Sequence, residues 1–248
     1  MELIQNILIL FVVGSFSGFL NVMAGGGSAF TLPTLIFLGL DSAVANGTNR
    51  IAILAQSIAA IISFKNENYF DIRTSLILSL FTIPGSITGA LLSINISSKL
   101  FNILLGVINL FIILTLFLPK RIIKVSNKPE KINWKLAISL VFIGFYGGFI
   151  QVAAGFMLMA AIQNFLKVDL IRVNMYKVFI ALIFTIPAFF VFLVNGKMDF
   201  LLGIALASGN FFGAWQSAKI SVKKGEKIIR YFLIIAIIII SLKLFGLF

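Results

Sequence analysis

Residues 14–33 read Gly-Ser-Phe-Ser-Gly-Phe-Leu-Asn-Val-Met-Ala-Gly-Gly-Gly-Ser-Ala-Phe-Thr-Leu-Pro, inside a charge-free run from 3 to 40. A helix crosses about 30 Å of hydrocarbon with about 20 residues, so this run is too long for one ordinary span. Glycine costs about 1 kcal/mol in a helix interior, and three in a row predict a break at Gly25-Gly26-Gly27. Irregular backbone at membrane depth survives only where protein or a water-filled cavity satisfies it. The break is therefore expected to face an interior site.

The stretch recurs. Gly14-x3-Gly18-Phe19-Leu20-Asn21-Val22-x-Ala24-Gly25 matches Gly144-x3-Gly148-Phe149-Ile150-Gln151-Val152-x-Ala154-Gly155, an offset of 144 − 14 = 130. It lies in a second over-long charge-free run, 136–166, where a break is expected between Gly147-Gly148 and Gly155. Gly85-x3-Gly89-Ala90 matches Gly209-x3-Gly213-Ala214 at an offset of 209 − 85 = 124, with Asp71 and Asp199 opening the two helices. Small-xxx-small spacing is common in membrane helices, but several matches in one order indicate a duplication.

Composition sets the class. The 248 residues are 60% hydrophobic and 11% charged, against about a quarter charged in soluble domains. Mean hydropathy is +1.11. The chain reads as an all-α polytopic membrane protein, which excludes a soluble enzyme. With no Cys and no His, disulfides, thiol chemistry, His-ligated metals and Ser-His-Asp triads are excluded. No cofactor is implied. Residues 1–22 mimic a signal peptide, but Glu2 and the lack of a basic n-region predict no cleavage.

The net charge of +12 would suggest nucleic acid in a soluble protein; in a membrane protein it belongs to cytoplasmic loops. Eight plain spans divide the twenty basic residues ten to ten. If each broken stretch instead enters and returns as a hairpin followed by three spans, sixteen fall inside, in and around 65–73, 119–135, 167–177 and 219–230. Only Arg50, Lys99, Lys197 and Lys243 fall outside. The positive-inside rule selects the second arrangement. An odd number of crossings per half makes the repeats inverted, with both termini outside. The expected organisation is a first transmembrane repeat over 1–118, a basic cytoplasmic linker over 119–134 and a second repeat over 135–248. Inverted repeats with broken helices characterise secondary transporters, whose sites lie near the midplane between the repeats.

The candidate site follows from the breaks. A helix restarting after the glycines presents backbone N–H groups and the positive end of its dipole, which suits an anion. Asn21, Gly25, Gly26, Gly27 and Ser28 form its first half and Gln151 faces it from the second. Asn46-Gly47-Thr48-Asn49-Arg50 opens the next span, paired with Val173-Asn174-Met175-Tyr176-Lys177. Thr48, Asn49, Asn174 and Tyr176 are candidate donors. Arg50 and Lys177 align as cations at similar depth, either balancing a bound anion or snorkelling to headgroups. Gln56, Ser57, Asn102, Asn109 and Asn210 are further in-span polar residues, read equally well as interhelical hydrogen bonds. Asp41, Asp71, Asp169 and Asp199 all fall at helix starts. With no mid-span carboxylate, a proton relay or carboxylate metal site is not expected.

These residues resemble a known family. Gly14-x3-Gly18-x6-Gly25-Gly26-Gly27-x5-Pro33-x-Leu35-x3-Gly39, then Ala45-Asn46-Gly47-Thr48-Asn49, is similar to the first-repeat signature of the sulfite exporter TauE/SafE family. The resemblance covers essentially the whole chain. It implies a prokaryotic inner-membrane permease exporting sulfite, organosulfonates or other small anions. The second repeat departs from the pattern: Ala154-Gly155-Phe156-Met157 replaces the triple glycine, and Asn174-Met175 replaces Gly-Thr. Bulky Phe156 and Met157 point to a smaller or more apolar ligand. Expected partners are a small anion and anionic lipid at the basic loops, with no nucleic acid; a homodimer is compatible. Two other classes remain open from residues alone: a non-transporting scaffold or accessory subunit, and an intramembrane serine enzyme using Ser28 with Lys177 as base.

Overall fold

The four aspartates expected at helix starts are where four helices begin, and they divide the chain. The computed structural model describes the backbone of residues 2–116 and 132–244 and the side chains of 3–108 and 132–224. Among the described residues it is all helix: α1 (Glu2–Met23), α2 (Ser28–Phe37), α3 (Ser42–Asn66), α4 (Ile72–Leu80), α5 (Ile83–Asn95), α6 (Ser98–Leu116), α7 (Trp134–Phe149), α8 (Ala154–Leu166), α9 (Leu170–Val194) and α10 (Phe200–Leu244). Most of the expected linker, including Lys120, Arg121, Lys124, Lys128 and Lys131, lies outside the described residues, as do the side chains of Asn109, Lys227, Arg230 and Lys243.

The caps do their work locally. Asp71 accepts from the Thr74 N–H at 3.1 Å, Asp169 from the Arg172 N–H at 2.9 Å and Asp199 from the Leu202 N–H at 2.9 Å. Asp41 precedes α3, and its carboxylate accepts from the Ser98 hydroxyl. Helices α1, α3 and α9 are long and apolar enough to cross a membrane. So is the pair α4–α5, taken together across a 49° bend. Large apolar side chains such as Ile4, Leu8, Val12, Phe142 and Ile204 stand exposed on the outside, as lipid-facing residues do.

The halves contact each other reciprocally. α1 packs along α10, and α7 packs along α5, the same pairing with the halves exchanged. The seams are glycine against carbonyl. A Cβ added at Gly18 would lie 2.3 Å from the Asn210 carbonyl oxygen, and one at Gly148, its repeat mate, 2.1 Å from that of Ser86. Gly213 against Ser15 and Gly89 against Phe145 repeat the relation. Any side chain there would force the backbones apart, which is why small residues hold these positions. α3 and α9 run through the centre and pack on each other.

Spacing between the matched positions of the two halves is not constant, and its largest change has a structural counterpart. It is 128 at the caps, Asp41 to Asp169 and Asp71 to Asp199. It falls to 124 at Gly85 to Gly209, so the first half holds four more residues, one helical turn, between cap and seam. The surplus sits at the bend between α4 and α5; α10 runs through the equivalent place unbroken.

The second break lies at Ile150–Ala153, within the expected interval, but Gly147 and Gly148 are inside α7 and Gly155 is inside α8, and its left-handed residues are Gln151 (φ 70°) and Ala153 (φ 62°), not glycines. One expectation is corrected. The segment 219–230, expected as a loop between two spans, continues as helix in the 45-residue α10. Its Lys, Glu and Arg favour helix, against the glycine at 225 and the weaker helix formers Ile, Val and Ser. The second half is thus a broken hairpin followed by two helices.

Loops gather at two ends. The Tyr69 hydroxyl donates to Asp169 at 3.2 Å, and Lys223 lies 3.9 Å from Glu67, placing Lys65, Arg73, Lys167, Arg172 and Lys223 together. The Ser98–Asp41 bond and the Asp199 N–H on the Thr48 hydroxyl at 2.9 Å gather the other end, where Lys99 and Lys197 lie.

Candidate functional site

α1 stops when the Ala24 and Gly25 N–H groups both turn back to the Leu20 carbonyl, at 2.7 and 3.2 Å, with Gly25 at φ +94°. α7 stops the same way: the Ile150 and Gln151 N–H groups return to the Tyr146 carbonyl at 3.0 and 3.2 Å. The two turns are 151 − 25 = 126 residues apart, although the repeated sequence runs at 130. The second helix therefore ends one turn early. The breaks meet at Gly25 and Gly155, where a Cβ added to Gly25 would lie 2.4 Å from the Gly155 carbonyl carbon.

Each helix end is held by a cation from the opposite half. Arg50, on α3, donates to the Gly147 carbonyl at 2.8 Å and the Gly148 carbonyl at 2.6 Å, at the end of α7. It also reaches Asn46 Oδ1 at 3.3 Å, and its guanidinium stands 5.2 Å over the Phe192 ring. Lys177, on α9, donates to the Asn21 carbonyl at 2.9 Å and the Val22 carbonyl at 2.6 Å, at the end of α1. Its third strong acceptor is Asn174 Oδ1 at 2.8 Å. A helix C-terminus carries about half a negative charge, so cations belong there. Arg50 is 0% and Lys177 2% exposed, so neither snorkels. By the cap spacing of 128, Lys177 is the register mate of Asn49 rather than of Arg50, so the cations sit one position apart on their helices.

Asn49 ties the breaks together. Thr31 donates to its Oδ1 at 2.7 Å, and its Nδ2 donates to Gln151 Oε1 at 3.2 Å and Ser28 Oγ at 3.5 Å. Beneath lies a cavity of about 30 Å³, where one water needs about 10–15 Å³ by the same measure. Asn21, Ser28, Gln56, Ser57, Gln151 and Lys177 supply its polar lining, with Gly155 and apolar side chains. Gln151 Nε2 and Ser57 Oγ are buried without a hydrogen-bond partner. The described Asp and Glu side chains sit at helix ends, away from this lining.

The sequence-derived residues thus separate by position. Asn21, Ser28, Gln151 and Lys177 line the cavity, and Asn49 braces it. Gly25 forms the crossing; Gly26 faces the Phe156 ring and Gly27 the Ser17 carbonyl. Asn174 holds Lys177, and its Nδ2 is buried without a partner. Arg50 clamps α7. Thr48 and Tyr176, themselves 128 apart, each bond the cap of a helix in the opposite half: Thr48 takes the Asp199 N–H, and Tyr176 donates to Asp71 Oδ2 at 3.0 Å. Gln56 and Ser57, which the sequence leaves open between packing and substrate contact, line the cavity. Their signal was spacing: seven and eight residues beyond Asn49, they return to the same helix face. Lys177, named as a base for Ser28, is occupied by carbonyls, and Ser28 Oγ faces Asn49.

A family model described as Sulfite exporter TauE/SafE matches residues 10–244. The Haemophilus influenzae "Probable membrane transporter protein" is 27% identical over 244 residues, covering 97% of this chain and 95% of its own length. Escherichia coli K12 "Probable membrane transporter protein YfcA" is 27% identical over 237 residues, covering 95% and 88%. Bacillus subtilis "Probable membrane transporter protein YunE" is 24% identical over 269 residues, covering 97% of each.

Proposed function

The chain belongs to the sulfite exporter TauE/SafE family, and on that premise we propose that it is a secondary transporter moving a small anion, sulfite or an organosulfonate, outward across the prokaryotic inner membrane. The observation that carries this reading is the cavity at the crossing of the breaks. It is lined by a buried ammonium and by the buried, unpartnered Gln151 Nε2 and Ser57 Oγ, and no described carboxylate contributes to it. Such a lining offers donors and positive charge to a ligand. An oxyanion headgroup complements such a lining, and the small volume favours sulfite over a long-chain sulfonate.

In this reading the halves are inverted repeats. The end carrying Lys65, Arg73, Lys167 and Arg172 faces the cytoplasm and anionic lipid, and the N-terminus lies outside; with α10 unbroken, the expected return of the C-terminus to the outside is not carried over. Transport proceeds by one unit rocking against the other about the crossing. The test is anion flux in proteoliposomes. Asn21→Leu fills the cavity wall, and Gly26→Leu drives a side chain into the Phe156 ring, 2.5 Å from where its Cβ would stand. Each is expected to abolish sulfite flux. Flux that survives both in folded protein overturns the site.

A further inference from the structure

The two buried cations differ in one respect that the repeat does not predict: Lys177 lines the cavity and Arg50 does not. We propose that Lys177 is an anion-operated latch on the first broken helix. An oxyanion entering the cavity draws the ammonium off the Asn21 and Val22 carbonyls and so frees the end of α1, while Arg50 keeps the end of α7 clamped. This rests on the cavity being an anion site.

The ammonium has three protons, and three oxygens take them: Asn21 O, Val22 O and Asn174 Oδ1. Met159 Sδ, at 3.6 Å, is the remaining neighbour. No described carboxylate reaches this ammonium; it is matched only by dipoles. A full negative charge is the stronger acceptor, and a ligand moves an equilibrium by the difference between its contacts in the two states. Here that difference is ammonium on anion against ammonium on carbonyl. The spare donors Gln151 Nε2 and Ser57 Oγ complete the anion's shell. Gln151 belongs to the second break, so the anion would bridge the latch to the opposite half. The released carbonyls lie in the last turn of α1, one residue before Ala24–Gly27, where Gly25 at φ +94° and its glycine neighbours let the chain re-orient. Arg50 has no comparable exchange open to it. Its guanidinium is bidentate on consecutive carbonyls, packed on Phe192 and absent from the cavity wall.

The test is hydrogen–deuterium exchange of the full chain in nanodiscs, in sulfite and in chloride, read beside sulfite-dependent melting. Wild-type protein is expected to melt higher in sulfite and to exchange severalfold faster at residues 20–24, with residues 146–150 unchanged. Lys177→Met is expected to exchange fast at 20–24 without sulfite and to lose about ten- to hundredfold in apparent sulfite affinity. Protection at 20–24 in sulfite, or faster exchange at 146–150 instead, overturns the latch from wild-type data alone, whether or not the variant folds. A melting shift that survives Lys177→Met overturns the latch and leaves the anion site standing. Absence of any wild-type response to sulfite or ethanesulfonate, in melting or flux, overturns both.

Discussion

The break at Ala24–Gly27 turns on a glycine at φ +94°, whereas the break at Ile150–Ala153 makes the same turn with Gln151 and Ala153 and makes it one helical turn sooner. A residue with a Cβ in the left-handed region costs about 1–2 kcal/mol. The second break therefore persists because its surroundings over-determine it. Arg50 grips Gly147 and Gly148, and the Tyr146 hydroxyl bonds the Val152 carbonyl. Lys177 grips Asn21 and Val22, whose repeat mates are Gln151 and Val152, four residues beyond the pair that Arg50 holds. The clamp is displaced by four residues and so is the break. At both breaks a cation from the other half grips the helix end, and at the second it does so where no glycine takes the left-handed turn.

That comparison can be broken most directly at the crossing. Gly25→Val and Gly155→Val each place a Cβ about where the other backbone stands, and each is expected to cost about 4 kcal/mol or more, seen as loss of folded protein in size-exclusion and thermal unfolding. If both are tolerated, the breaks do not touch. Next in size, Arg50→Met leaves two buried carbonyls unmatched and is expected to cost about 3 kcal/mol in thermal unfolding; a cost within error would hand the second break back to its own sequence. Ala153→Gly sharpens the contrast through its sign. It relieves a left-handed alanine and is expected to stabilise by about 0.5–1 kcal/mol, whereas Gly25→Ala destabilises.

The smallest effects test the paired cap contacts. Thr48→Val leaves the Asp199 N–H without its acceptor and is expected to cost about 1 kcal/mol, with Tyr176→Phe at about 0.5 kcal/mol. The second also has a pH signature. Burial pushes the Asp71 carboxyl up, but hydrogen bonds from Thr74 and Tyr176 outweigh it and hold the group below its ordinary value. Its contribution is present above about pH 4 and is lost as pH falls through the folded-state value. Removing the Tyr176 hydroxyl moves that loss to higher pH, as melting temperature against pH would show; an unmoved profile removes Tyr176 from the cap.

What was legible in the sequence was what short-range chemistry decides. The aspartate caps, the first break at Gly25–Gly27 and the Gly-x3-Gly seams are local signals, and all three are where they were expected. The second break was legible only to within Gly148–Gly155; that Gln151 and Ala153 make its turn was not, because nothing local marks them, while Arg50 grips the end of α7 from about a hundred residues away. The bend at Phe81–Thr82 was present only as an unexplained drop in offset from 128 at the caps to 124 at the glycines. The continuity of α10 through its basic stretch was masked by charge, which marks loops by correlation while Lys, Glu and Arg favour helix. For the cavity, residue type found Asn21, Ser28, Gln151 and Lys177. It could not tell that Thr48 and Tyr176 turn to helix caps, since orientation on a helix depends on what packs beside it.

The glycine seam between α1 and α10 also has a schedule. Gly14 meets Leu206, made 206 − 14 = 192 residues later, whereas Gly85 meets Val141 after 141 − 85 = 56. At about 5–20 residues per second of synthesis, α5 and α7 can join within roughly 3–11 s, but α1 waits roughly 10–40 s for its partner. Through that interval lipid tails lie against the bare carbonyl-and-glycine face of α1. α1 therefore waits longer for its seat than α5 does, which makes the α1–α10 seam a late step of assembly.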